Sequence, residues 1–193
     1  MPALILLAGP NGAGKTTASE DLLRDELSVD EFVNADIIAQ GLSAFRPEHA
    51  AMQAGRVMLE RLRHLTEQRA NVAFESTLAS RSFAPWIREL IQSGYEFHLF
   101  YFWLPSPDLA VERVKRRVRL GGHDVPEATI RRRYDAGLRN FFELYRPIAA
   151  TWHFFDNKIF GEPRLIAEKT RNRSEDILDE EVWRTIKEEY DNA

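Results

Sequence analysis

Short apolar runs recur along the chain, and stretches with a single apolar face fill the intervals between them. Leu4-Ile5-Leu6-Leu7-Ala8 is apolar at every position, as a strand covered on both faces requires. Glu31-Phe32-Val33-Asn34, Asn71-Val72-Ala73-Phe74, Phe97 to Leu104 and His153-Phe154-Phe155-Asp156 read as further strands, with Arg164-Leu165-Ile166-Ala167 as a sixth. Between these runs the period lengthens to that of a helix. Ala18, Leu22, Leu23 and Leu27 share one face, and Pro47 opens a long helix with Ala51, Ala54, Met58, Leu62 and Leu65 inward. Ser82 caps a helix running through Gln92, which Gly94 stops. Ser106-Pro107-Asp108 has the cap, proline and acid of another helix start, with Ala110, Val111, Val114 and Val118 inward as far as Gly121-Gly122. Asp124-x-x-Glu127 with Pro126 opens the next, whose apolar side is Ile130, Tyr134, Leu138, Phe141 and Phe142. Residues 174–190 read as an amphipathic terminal helix.

This alternation predicts an α/β architecture: a parallel sheet of five to six strands with helices on both faces, forming one domain over residues 1–193. In such sheets ligands bind beyond the carboxyl ends of the strands, so those ends are where chemistry is sought.

The first end is the most informative. Gly9-Pro10-Asn11-Gly12-Ala13-Gly14-Lys15-Thr16 satisfies the phosphate-loop pattern G-x-x-x-x-G-K-[ST] at every fixed position, between a strand and a helix. Glycines let backbone amides wrap phosphates, Lys15 reaches the β- and γ-phosphates, and the Thr16 hydroxyl ligates Mg²⁺. Thr17 completes the loop. ATP and Mg²⁺ are therefore the expected ligands.

Composition narrows the setting. Hydrophobic residues at 44% and charged ones at 29% are ordinary for a water-soluble domain, and no apolar run is long enough to span a bilayer. The N-terminus has no basic leader, which argues against a signal peptide. The absence of cysteine excludes disulfides, thiolate catalysis and cysteine–zinc sites. Use of ATP points to the cytoplasm. The net charge of −4 argues against general nucleic-acid binding. Yet Glu112 to Arg133 holds eight Lys/Arg against three acids, a basic island suited to a small polyanion.

Two carboxylates stand at the next strand ends. Asp36 is placed to take a proton from an acceptor hydroxyl, the alternative being a helix cap before Ile37-Ile38. Glu75 either orders the Mg²⁺ shell through water or holds an acceptor hydroxyl; otherwise nearby backbone N–H groups satisfy it. Thr77 and Ser80 are candidate acceptor contacts. Arg113, Arg116, Arg117 and Arg119 precede Gly121-Gly122 and Arg131 to Arg133 follow, a helix–glycine–helix unit near residues 107–135 that reads as a lid neutralising the transferred phosphoryl group. Arg117 and Arg132 are favoured for that task, with Arg119 next; His123 reads as a hinge hydrogen bond. Asp156-Asn157-Lys158 lacks the N-K-x-D order that holds guanine.

Gly9 to Thr17, Asn34-Ala35-Asp36, Phe74-Glu75-Ser76-Thr77-Leu78, and Arg117-Val118-x-x-Gly121-Gly122-His123-x-Val125-Pro126 followed by Ile130-x-Arg132-Arg133-Tyr134 together resemble the zeta-toxin family, in particular its short members without a fused partner. The resemblance runs from residue 4 to about 157. It implies a P-loop kinase fold and transfer of the ATP γ-phosphate to the 3′-hydroxyl of UDP-N-acetylglucosamine. It further implies Lys15 and Thr16 on phosphate and magnesium, Asp36 as base, Glu75 on the acceptor sugar, Arg117 and Arg132 clamping phosphates, and a small antitoxin covering the ATP site. Ser76 departs from the glycine usual in the longer toxins. A kinase for a sugar acid or a polynucleotide 5′-end, and a nucleotide-driven regulatory switch docking through its terminal helix, are the competing readings.

Overall fold

The computed structural model describes residues 1–191 apart from 21, 22, 24–28, 30 and 172. Leu22 and Leu27, expected on the first helix, lie outside the described residues. The described elements are β1 (Ala3–Ala8), α1 (Lys15–Glu20), β2 (Glu31–Val33), α2 (Ala35–Leu42), α3 (Pro47–Glu67), β3 (Val72–Ser76), α4 (Phe83–Gln92), β4 (Glu96–Trp103), α5 (Pro107–Arg119), α6 (Glu127–Asn140), β5 (Thr151–Asp156), β6 (Arg164–Lys169), β7 (Asp176–Ile177) and α7 (Glu180–Tyr190).

Among the described residues these strands form one seven-stranded sheet in the order β2-β3-β1-β4-β5-β6-β7. β1 to β5 pair in parallel, as the alternation of strands and helices demands. The sheet does not end there, which corrects the expected all-parallel sheet of five to six strands. β6 turns back antiparallel on β5, because only a short loop joins them and a parallel return needs a crossover. β7 adds a second antiparallel strand across residues where the terminal helix was expected to begin. That helix starts later, where the Asp179 side chain accepts the Val182 N–H at 3.1 Å.

The two expectations about helix faces that fail do so by one turn or less. On α3 it is Ala50 that is buried and Ala51 that is exposed. On α5, Ala110, Val111 and Val114 pack inward, while Val118 is 36% exposed near the helix end. Ser82 precedes α4 without a side-chain capping bond. Ser106 caps α5 by accepting the Leu109 N–H at 3.2 Å. After α6 the chain widens into a five-residue π turn, Phe141–Tyr145, whose Phe141, Phe142 and Tyr145 are buried in the core.

The consequence for function is adjacency. With β1 between β3 and β4, and β2 beyond β3, the ends of β2, β3 and β1 lie side by side. The register pairs Val33 with Phe74 and Leu7 with Glu75, so Asn34, Glu75 and the loop after Ala8 share one rim of the sheet.

Candidate active site

The loop after β1 is shaped by glycines where a side chain has no room. Gly9 has φ +140°, and a Cβ there would stand 2.2 Å from the Phe102 carbonyl oxygen; Gly14 has φ +80° beside the Asn157 amide. Asn157, buried just past β5, donates to the Ala13 carbonyl at 2.5 Å and holds the loop from the sheet side. Lys15 is 5% exposed. Its ammonium donates to the Gly9 and Pro10 carbonyls at 2.9 and 3.0 Å and lies 3.5 Å from Glu75 Oε1. A buried ammonium must be compensated, and those three oxygens do so at the place where phosphate charge would arrive. Thr16 and Thr17 are exposed at the opening of α1. Asn11 is buried, and its Oδ1 has no hydrogen-bond partner among the described residues.

Glu75, at the end of β3, is satisfied by side chains, not by the neighbouring backbone. Its Oε2 accepts from Thr16 Oγ1 and from Asn34 Nδ2, both at 2.8 Å. The Thr16 proton is thereby committed to the carboxylate, leaving the hydroxyl lone pairs for a cation. Hydroxyl and carboxylate oxygens are the hard donors that suit Mg²⁺. No group of three or more His, Cys, Asp or Glu side chains among the described residues is arranged to hold a metal unaided. A cation here would rely on Thr16, Glu75 and phosphate oxygens.

Asp36 is not the cap of α2. Asn34 is: its Oδ1 accepts the Asp36 and Ile37 N–H groups at 2.8 and 3.3 Å. The Asp36 carboxylate is therefore free of capping, and its side chain is half exposed. Oδ2 lies 3.5 Å from His123 Nε2. Arg117 donates to His123 through its Nη2, to the ring Nε2 at 3.2 Å and to the carbonyl at 3.1 Å, so the hinge after α5 reaches the base candidate.

Of the successive arginines on α6, Arg133 is half-buried; burial pulls its guanidinium pKa down, and the Asp36 charge opposes that. Arg131 is spent on Asp108 and Glu127, and Lys115 also pairs with Glu127, so part of the basic island neutralises itself. Arg119 and Arg132 are exposed and make no hydrogen bond or ion pair among the described residues. Thr77 is half-buried against α6, its carbonyl 2.4 Å from where a Cβ on Gly137 would lie.

Four contributors went unselected in the sequence, Asn157, which donates to the phosphate loop, among them. Asn34 stood in a quoted motif without a role. Arg133 lies next to the favoured Arg132, and helical phase with respect to Tyr134 was the available clue. Arg113 reaches back to the loop: it donates to the Lys158 carbonyl at 2.7 Å and the Gly12 carbonyl at 3.5 Å, and sits 5.5 Å from the Phe160 ring centre. It forms a cationic and aromatic shelf beside Gly12.

The phosphate loop, the central β1 and the carboxylates at neighbouring strand ends define an α/β fold of the P-loop kinase-like class. Within that class the chain belongs to the AAA_33 family, an AAA domain, which matches residues 4–142. It is 28% identical over 130 residues to an uncharacterized protein of Haemophilus influenzae, covering 67% of this chain and 91% of that one. Among solved structures, a chain of the AvrRxo1-ORF1:AvrRxo1-ORF2 complex with sulphate ions superposes with a TM-score of 0.74 at 16% identity, over 96% of this chain. This chain spans 63% of that relative's length. The PezAT chromosomal toxin-antitoxin system of Streptococcus pneumoniae gives 0.64 at 16% identity, over 100% and 80% of the two chains. A putative kinase from Chloroflexus aurantiacus gives 0.56 at 18% identity, over 67% and 78%. At these identities the likeness is one of fold. No helix among the described residues is long and apolar enough to cross a membrane.

Proposed function

We propose that this protein is an ATP-dependent phosphotransferase, one domain over residues 1–193, that phosphorylates a hydroxyl of a small acceptor, a sugar or nucleotide sugar of the UDP-N-acetylglucosamine type. The observation that carries the reading is the free carboxylate of Asp36. Asn34 relieves it of capping α2, and the same Asn34 side chain that accepts the Asp36 N–H donates to Glu75 of the Glu75–Thr16–Lys15 cluster. A phosphate-binding loop alone serves many purposes, but a half-exposed carboxylate free of helix capping, with His123 as its side-chain neighbour, suits proton abstraction.

In this reading the amides from Gly9 to Thr17 and the Lys15 ammonium bind the nucleotide phosphates, and the Arg113 shelf lies toward the base. Thr16 and Glu75 would hold Mg²⁺, which would supply charge neutralisation on phosphate oxygens. The hydrogen bond between Thr16 and Glu75 favours this metal-side role for Glu75 over contact with the acceptor. Asp36 takes the proton of the acceptor hydroxyl as its oxygen bonds to the γ-phosphorus and the bond to the leaving diphosphate breaks. The α5–α6 hairpin acts as the lid: Arg117, Arg133, Arg132 and Arg119 offer positive charge to the transferred group, and Thr77 lines the acceptor side. Such chemistry draws on cytoplasmic ATP. The toxin-like motifs, together with the fold shared with PezAT, support a small antitoxin as partner.

The test is acceptor-stimulated ADP release with UDP-sugars, free sugars, a sugar acid and a 5′-hydroxyl oligonucleotide. We expect stimulation by a sugar or UDP-sugar. Asp36→Asn should keep nucleotide affinity and lose about 10²-fold or more in turnover, and Lys15→Ala should lose both. ADP release that no acceptor changes would favour a regulatory switch, and full turnover in Asp36→Asn would remove the base assignment.

A further inference from the structure

One buried amide bonds the Glu75 carboxylate with one end and, with the other, the backbone of the turn that carries Asp36. Asn34 is 5% exposed. Its Oδ1 pins the first turn of α2, accepting the N–H of Asp36 itself, while its Nδ2 donates to Glu75 Oε2, the same oxygen that takes the Thr16 proton. The amide belongs to neither the phosphate loop nor the lid, and its bonds run to Glu75, to the Asp36 N–H and to the next N–H of the same helix turn, Ile37.

We propose that Asn34 is a positioning residue that sets the base against the metal: it aims Glu75 at Thr16 and fixes the start of the helix carrying Asp36. The inference rests on the phosphotransferase reading above. The chemistry is specific to a primary amide of this length. Serine or threonine would retain an oxygen for the cap, but neither carries an N–H able to reach Glu75. An aspartate would keep the cap and set a second carboxylate against Glu75. Without the donor, Glu75 loses one of the two hydrogen bonds on Oε2, and the Thr16 hydroxyl loses its fixed proton acceptor.

The experiment follows Mg²⁺-dependent binding of a fluorescent ADP analogue, which needs no knowledge of the acceptor. In Asn34→Ser the melting temperature should hold, while the Mg²⁺ concentration for half-maximal binding rises about tenfold, the usual size of a lost partner to a metal-holding group. On a Glu75→Gln background the same substitution should add no further shift, because Asn34 acts through Glu75. Asn34→Thr replaces Asn34→Ser if the serine variant fails to fold. Unchanged Mg²⁺ dependence, or a full additional shift on the Glu75→Gln background, overturns the proposal. If Lys15→Ala still abolishes binding in that case, the phosphotransferase reading survives it. Wild-type protein that binds the analogue equally with and without Mg²⁺ overturns both.

Discussion

Asn157 and Ala13 are 144 positions apart in sequence, and the Asn157 amide is 2.5 Å from the Ala13 carbonyl. That contact decides the shape of the phosphate loop as much as the loop's own glycines do. Gly14 has φ +80°, and a Cβ on it would meet the same amide at 2.9 Å, so glycine and asparagine fit only each other. Removing the amide leaves a buried carbonyl unpaired, a penalty of about 1–3 kcal/mol. Asn157→Ala should therefore weaken nucleotide binding by about tenfold or more with the fold retained, as read by calorimetric titration beside thermal unfolding. Unchanged affinity would show that the loop holds its shape alone. The contact also marks the limit of what was legible in sequence. Gly9 to Thr16 was readable because its pattern is fixed along one strand–loop–helix unit, and Asp36 and Glu75 could be nominated because each stands at the end of a legible strand. Asn157, Asn34, Arg113 and Arg133 were not, because each works through a partner that only the sheet order brings near.

At the scale of the element, α6 joins the proposed lid to the acceptor side of the site. Its Gly137 lies against the Thr77 carbonyl, its Asn140 donates to the Leu78 carbonyl at 2.6 Å, and Tyr145 just beyond donates to the Ser80 carbonyl at 2.8 Å. Leu78, held between these anchors, has φ +56°, a conformation that costs a leucine energy and persists where surrounding contacts impose it. The loop after Glu75 is thus strapped to the same helix that carries Arg132 and Arg133. Helix propensity alone says that Gly137→Ala should stabilise α6 by about 1 kcal/mol. The new Cβ would lie 2.4 Å from the Thr77 oxygen, so we expect the opposite sign: a melting temperature lower by several degrees and reduced turnover. Gly55→Ala on α3, where nothing lies within 4 Å, is the control and should stabilise by about 0.5–1 kcal/mol. Equal gains in both variants would show that the seam against Thr77 yields freely. The periodicity along α6 identified its apolar side correctly, but nothing in it separates a glycine chosen for close approach from one that is merely tolerated. The same blindness affected the second edge of the sheet, where β7 has only two residues to announce it.

The whole molecule is held by an aromatic core in which Phe141 meets Tyr101, Phe154 and Trp152, and Trp183 of α7 stacks on Trp152 at 5.5 Å. The tyrosines belong to it. All five in the sequence, Tyr95, Tyr101, Tyr134, Tyr145 and Tyr190, are buried, and burial pushes each phenol above its ordinary value, Tyr145 up to about 12. Among the described residues Tyr101 has no hydrogen-bond partner for its hydroxyl, so its ionisation in place would leave an uncompensated charge in the core. The sign follows from linkage. Phenols in the unfolded chain ionise near pH 10, whereas the native state holds them neutral, so their contribution is intact below about pH 10. For Tyr145 it is lost as pH rises from there to about 12, and for Tyr101, Tyr134 and Tyr190 the loss extends further. Each tyrosine kept neutral in the native state but ionised in the unfolded one lowers stability by up to about 1.4 kcal/mol per pH unit across its window. Because the rings share one core, we expect alkaline unfolding to be cooperative, with tyrosinate absorbance appearing together with the loss of far-ultraviolet circular dichroism. Tyrosinate absorbance that rises near pH 10 while the dichroism stays native would mean that the phenols reach water without unfolding, and that the core is less sealed than its packing implies.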